Sequence, residues 1–185
     1  EFFQVMTRQL FTPEFGMFLE EPESRLLWFN PQSLELGLSP VQFELLGSLI
    51  GLAIYNSVIL PLQFPLVVYR KLKGENPTLA DLLDFRPQVA KGLQHLLDYE
   101  GGDDEEVFCL TFSVAAERFG ATFLHDLVPG GAEVAVTAGN KVSYVEMYVN
   151  WVLVGSIERQ FDSFKKGFLN VAGGYALDLF TAEEL

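Results

Sequence analysis

The sequence predicts an α+β fold, a mainly helical larger subdomain with a small helix-plus-β-hairpin subdomain inserted into it. Three observations carry this. Hydrophobic residues make up 49% of the 185-residue chain and charged residues 20%, the balance of a globular protein with a core. Residues 45–69 carry no charge and are interrupted by Pro61 and Pro65, the pattern of core helices joined by a turn. Between two helical stretches, residues 107–137 switch to period-two alternation around a Pro-Gly-Gly turn.

The elements follow in order. Phe2, Phe3, Val5, Met6, Leu10 and Phe11 recur at near-helical spacing, and Pro13 ends that helix. Phe15 to Phe18 reads as a loop with aromatic anchors, and Leu26 to Phe29 as a short extended segment. Ser39-Pro40-Val41-Gln42 starts the next helix: serine caps, proline takes the first helical position, and glutamine closes a capping box. That helix runs to about Asn56, apolar on all sides and therefore buried, with Gly47 and Gly51 letting another element approach closely. Pro65 opens a helix through Leu72 or Lys73, and residues 74–77 form a linker. Thr78 and Pro87 each start a helix. Val89, Leu93, Leu96 and Leu97 share one face of the second, which Gly101-Gly102 stops. VFCLTFSV (107–114) reads as a strand, with Phe108, Leu110, Phe112 and Val114 on one face. FLHDLV (123–128) and AEVAVT (132–137) read as a hairpin around Pro129-Gly130-Gly131. From Lys141 to Phe168 the pattern is helical, with a break at Gly155. The resulting division is 1–77, 78–140 and 141–185, the middle segment being the inserted small subdomain. Thr181 to Glu184 forms another capping box. The opening at Glu1, already in a helical pattern, and the box at the other end read as the edges of an excised fragment.

Charge narrows the function. With 25 acidic residues against 12 basic, the formal charge of −13 repels phosphate backbones, so no nucleic-acid partner is expected. The charge-free run is long enough to raise a membrane alternative, but its two prolines and Asn56, Ser57 and Gln63 argue against a spanning helix, and no membrane partner is expected. One cysteine makes no intramolecular disulfide and suits a reducing compartment, so the expected location is the cytoplasm, with the nucleus as a second setting. Neither His95 nor His125 has a paired ligand at zinc spacing, so no metal and no cofactor is assigned. Cys109, placed mid-strand, reads as a buried structural thiol. The segment DYEGGDDEE (98–106) holds six carboxylates and no base. It reads as a solvated loop, as a loose cation site at Asp103, Asp104 and Glu105, or as a charged rim beside an apolar groove.

Several strings carry a resemblance. GLAIYNSVIL (51–60) and FPLVVYRKL (64–72) closely resemble the N-terminal lobe of HECT-type ubiquitin-protein ligases. EFFQVMTRQLFTPEFGMF (1–18), LLWFNP (26–31), LLDYEG (96–101) and SIERQFDSFKKGF (156–168) resemble other landmarks of that lobe in the same order. The resemblance implies a docking part of a two-part enzyme: it recruits a ubiquitin-conjugating enzyme carrying ubiquitin as a thioester. The catalytic cysteine lies on a C-terminal lobe that nothing here matches. No catalytic residue is therefore expected in this chain, which should be inactive alone, and a protein substrate would bind regions outside it. In the family the small subdomain offers a groove to the conjugating enzyme. Carried over position by position, Val89, Leu93 and Tyr99 fall on its helix contacts, Phe108 and Leu110 on its strand contacts, and Tyr144 on the aromatic that closes it. Glu105 and Glu106 fall near acidic contacts, and helical phase adds Leu96. Two rivals remain at this point: a non-catalytic protein-interaction module, and a small hydrolase using Cys109.

Overall fold

The computed structural model describes residue 11 and residues 15–118, 120–173 and 180–184. The helix expected before Pro13 lies outside the described residues. The chain forms two compact units, one of residues 1–76 and 156–185 and one of residues 77–155.

In the larger unit, β1 (Phe18–Glu20) pairs antiparallel with β2 (Leu27–Phe29), Phe18 opposite Phe29. Phe18 thus opens a strand where a loop was expected. Helix α1 (Pro40–Tyr55) begins as its sequence predicts: Ser39 Oγ accepts from Val41 N at 3.3 Å, and Gln42 Oε1 accepts from Ser39 N at 2.6 Å. A shorter helix, α2 (Leu66–Leu72), follows Pro65. The last helix of the unit, here α7 (Glu158–Ala172), packs on α1 at very close range. A Cβ on Gly47 would lie 1.9 Å from Phe164 O, and one on Gly167 would lie 1.8 Å from Glu44 O. Ser48 Oγ donates to Gly167 O at 3.1 Å across this contact. The core behind it is aromatic. Phe29 is fully buried, with the rings of Phe18, Phe161, Phe164 and Phe64 at 5.0, 5.6, 5.3 and 6.2 Å. Gln160 is buried with its amide nitrogen within 3.0–3.2 Å of Asn30 O, Pro31 O and Ser33 Oγ.

One expectation fails in this unit. Helix α1 buries Phe43, Leu46, Ile50 and Ala53, whereas Val41, Leu45, Leu52 and Tyr55 are exposed. The apolar composition of a helix does not fix how many of its faces find a partner. No helix among the described residues is long and apolar enough to cross a membrane.

The small unit opens with α3 (Leu79–Phe85), capped by a Thr78–Asp81 box, and α4 (Pro87–Asp98). Of the strand expected over 107–114, only Ser113 and Val114 are in one. Residues Asp104–Phe108 form a short helix, α5, and Cys109 ends it in the left-handed region at φ 49°. Asp104, Glu105 and Glu106 occupy its first turn, where carboxylates favour the positive end of the helix dipole. Strand β3 starts only at Ser113 and runs to Arg118, pairing with β4 (Ala121–Asp126) from Ser113 opposite Asp126 to Arg118 opposite Ala121. The hairpin is therefore β3–β4. Residues 134–136 lie instead beside 110–112, with Phe112 N donating to Val134 O at 2.9 Å and Val136 N to Leu110 O at 2.8 Å. Gly131 makes this possible: a Cβ there would lie 2.1 Å from Phe112 O. The Pro-Gly-Gly sequence serves close packing, not a hairpin turn.

Helix α6 (Lys141–Leu153) belongs to the small unit, which extends to residue 155 and not to 140 as expected. Its buried Tyr144 sets its ring 5.5 Å from that of Phe112, which ties it to this core. The break expected at Gly155 marks the boundary itself, a turn of 3₁₀ helix at Gly155–Ile157 separating α6 from α7.

Candidate functional site

The end of α4 and the whole of α5 bring part of the expected set together. Tyr99 follows α4 directly, and its ring lies 5.3 Å from that of Phe108, edge to face. His95, one turn earlier on α4, places its ring 5.5 Å from the same phenylalanine. Tyr99 and Phe108 are each half-exposed, while Glu105 and Glu106 stand in water on α5, with Val107 (49% exposed) between them and Phe108. The result is an aromatic face edged by carboxylates.

An ion pair lies beside this face. Lys141, the first residue of α6, donates from its ammonium to Tyr99 O, and the same nitrogen lies 3.0 Å from Asp104 Oδ1. The Lys141 side chain is 12% exposed and that of Asp104 0%. Asp103, beside it, accepts from the Tyr99 hydroxyl, and this bond holds the phenol above its usual range.

The expected residues therefore divide. Tyr99, Phe108, Glu105 and Glu106 are accessible together. Val89 and Leu110 are half-buried. Leu93 (5% exposed), Leu96 (0%) and Tyr144 (2%) are in the core of the small unit, because the apolar face of α4 turns toward that core and Tyr144 fills it beside Phe112 and Tyr148. Burial pushes the Tyr144 phenol up to about 12. Phe108 and Leu110 are not strand residues: Phe108 closes α5, and Leu110 follows it outside any strand. Sequence reasoning passed over Val107, Lys141 and His95. The signal for the first was the carboxylate run D-E-E ahead of Val-Phe, which favours a helix start and so turns Val107 outward.

Cys109 is exposed and not buried as expected, and its thiol lies 3.3 Å from Glu106 O. A catalytic thiol needs a base within hydrogen-bond reach. Among the described residues the thiol's hydrogen-bond partner is Glu106 O, while the ring of His95 meets Phe108 and that of His125 stacks on Trp151 at 4.7 Å. Among the described residues no three His, Cys, Asp or Glu side chains converge as a metal-ligand set.

Comparison with known proteins adds a family. The model of the HECT domain, described as a ubiquitin transferase, matches residues 4–185. Human HERC4, named as a probable E3 ubiquitin-protein ligase, is 43% identical over all 185 residues, which span 17% of its length. Human HERC3, named likewise, is 41% identical with the same coverage. HUL4 of Eremothecium gossypii, also named a probable E3 ubiquitin-protein ligase, is 40% identical, and the chain spans 23% of it.

Proposed function

The chain belongs to the HECT-domain family of ubiquitin transferases, and from that premise we propose that its small unit docks a ubiquitin-conjugating enzyme through the Tyr99–Phe108 face. The docked enzyme presents its ubiquitin thioester to a catalytic cysteine outside this chain. That thiolate attacks the thioester carbonyl, the conjugating enzyme's thiolate leaves, and a lysine amine of a protein substrate attacks the new thioester. The present chain contributes binding and positioning, bringing the two sulfurs within reach.

The observation that carries this reading is a pair of touching, half-exposed aromatic rings beside exposed carboxylates on a helix–loop–helix. Rings in such settings supply large contact area at low entropic cost, and the carboxylates steer a basic partner. The test is a titration of the chain against a panel of ubiquitin-conjugating enzymes, with Phe108→Ala as the control. A member of the panel should bind, and the variant should lose affinity about tenfold or more. Equal binding by both would remove this face from consideration.

A further inference from the structure

We propose that Lys141 is a positioning residue of the docking face, its single ammonium fixing the end of α4 against the start of α5. This rests on the docking reading above, and it concerns what sets the geometry of that face. Residues 99–103 connect the two helices through Gly101-Gly102, and their own side-chain bond, from the Tyr99 hydroxyl to Asp103, stays within the connection. The tie to another element comes from α6. Lys141 Nζ reaches both ends of the connection, donating to the carbonyl of Tyr99 and lying 3.0 Å from the carboxylate of Asp104. Tyr99 O stands at the end of α4, where helix carbonyls lack internal partners. Asp104 opens α5, is buried, and neither of its carboxylate oxygens accepts a hydrogen bond from the described residues, so the Lys141 charge is what balances it. The lysine is itself held, because Tyr144 and Val145 in the next turn of α6 are buried. Tyr99 and Phe108 thus keep their 5.3 Å ring spacing through a residue that is not part of the exposed face.

A purely stabilising ion pair is the competing account, and three variants of the full chain separate the two. Lys141→Met removes the ammonium but keeps the stem. Lys141→Met with Asp104→Leu also removes the stranded carboxylate, so melting temperature should recover. Affinity for the conjugating enzyme should fall about tenfold in the single variant and stay low in the double one, because the Tyr99 carbonyl is still untied. Lys141→Arg should retain binding. Unchanged affinity in Lys141→Met, or affinity that recovers in step with melting temperature, overturns the proposal. If Lys141→Met fails to fold, the double variant decides. If the unchanged chain binds no conjugating enzyme, the docking reading has failed, and amide exchange still judges the positioning role. Residues 99–108 should exchange faster in the double variant while β3–β4 is unaltered, and equal exchange there sinks the proposal.

Discussion

Aromatic residues are spent differently in the two units. In the larger unit Phe29 is enclosed by the rings of Phe18, Trp28, Phe43, Phe64, Phe161 and Phe164 and sees no solvent. In the small unit Phe108 meets His95 and Tyr99 and stays half-exposed. Ring contact alone therefore does not distinguish a core from a recognition surface. The difference lies in what remains accessible after the rings have met, and in the charges beside them. Glu105 and Glu106 border the open cluster, whereas beside the closed one Gln160 is buried and donates to the backbone carbonyls of Asn30 and Pro31.

The largest effect that would break this contrast is expected at Phe29→Ala. It should cost ~3–5 kcal/mol of folding stability in a denaturant melt. A loss below ~1 kcal/mol would mean that the larger core tolerates a missing ring and is not closed as described. Next comes Leu96→Ala, at ~2–5 kcal/mol from the stability of the small unit. Docking should weaken only in proportion to unfolding. An intact melt with lost docking would return Leu96, and Leu93 with it, to the docking face.

Phe108→Ala should cost ~2 kcal/mol, but from affinity, which is roughly thirtyfold in Kd. The melt should hardly move. If instead the unit unfolds, Phe108 is core, and the two units use their rings alike.

A pH titration probes a buried charge of the larger unit. Lys71 is buried with its ammonium 3.9 Å from the centre of the Phe161 ring, and burial lowers its pKa to about 7 from 10.5. Between those values the unfolded chain binds the proton and the native chain does not. Stability should therefore rise with pH from about 7 toward 10.5, by at most ~1.4 kcal/mol per pH unit for one proton. The penalty is complete below that window and gone above it. Lys71→Met should abolish this part of the slope, and an identical pH profile in the variant would show that the lysine stays charged.

The smallest effect is expected at the rim. Neutralising Glu105 and Glu106 together should slow association with a basic partner several-fold and reduce its salt dependence, since exposed charges are screened over about 8 Å at physiological ionic strength. Stopped-flow rates that ignore both the change and the salt would make these carboxylates ordinary solvated groups.

The helix starts at Ser39, Thr78 and Pro87 and the break at Gly155 were legible because each is written in residues adjacent to the feature it controls. The failures share the opposite property. Residues 107–114 alternate like a strand, yet α5 is only five residues long, too short for helical periodicity to register. Asp104, the residue that opens α5, is drawn inward by Lys141, which no local pattern announces. The exposed face of α1 was illegible for the same reason: whether Val41, Leu45 and Tyr55 are covered depends on what packs there, not on their own hydrophobicity. Tyr99, Phe108, Glu105 and Glu106 entered the proposed docking face through family resemblance, whereas burial sets Leu93, Leu96 and Tyr144 in the core.

The contact between α1 and α7 also bears on the order of events during synthesis. Ser48 and Gly167 are 119 positions apart in the chain, and the whole small unit lies between them. Residues 77–155 are continuous and hold their own core, so they are complete as soon as they leave the ribosome. The first half of the larger unit, although made earlier, must wait for α7 before Gly47 and Gly51 have anything to pack against. The inserted unit is therefore expected to close before the one that contains it, the reverse of the usual N-terminal-first sequence. Until then the face of α1 that α7 covers stands open, so the nascent chain carries exposed apolar surface through this interval.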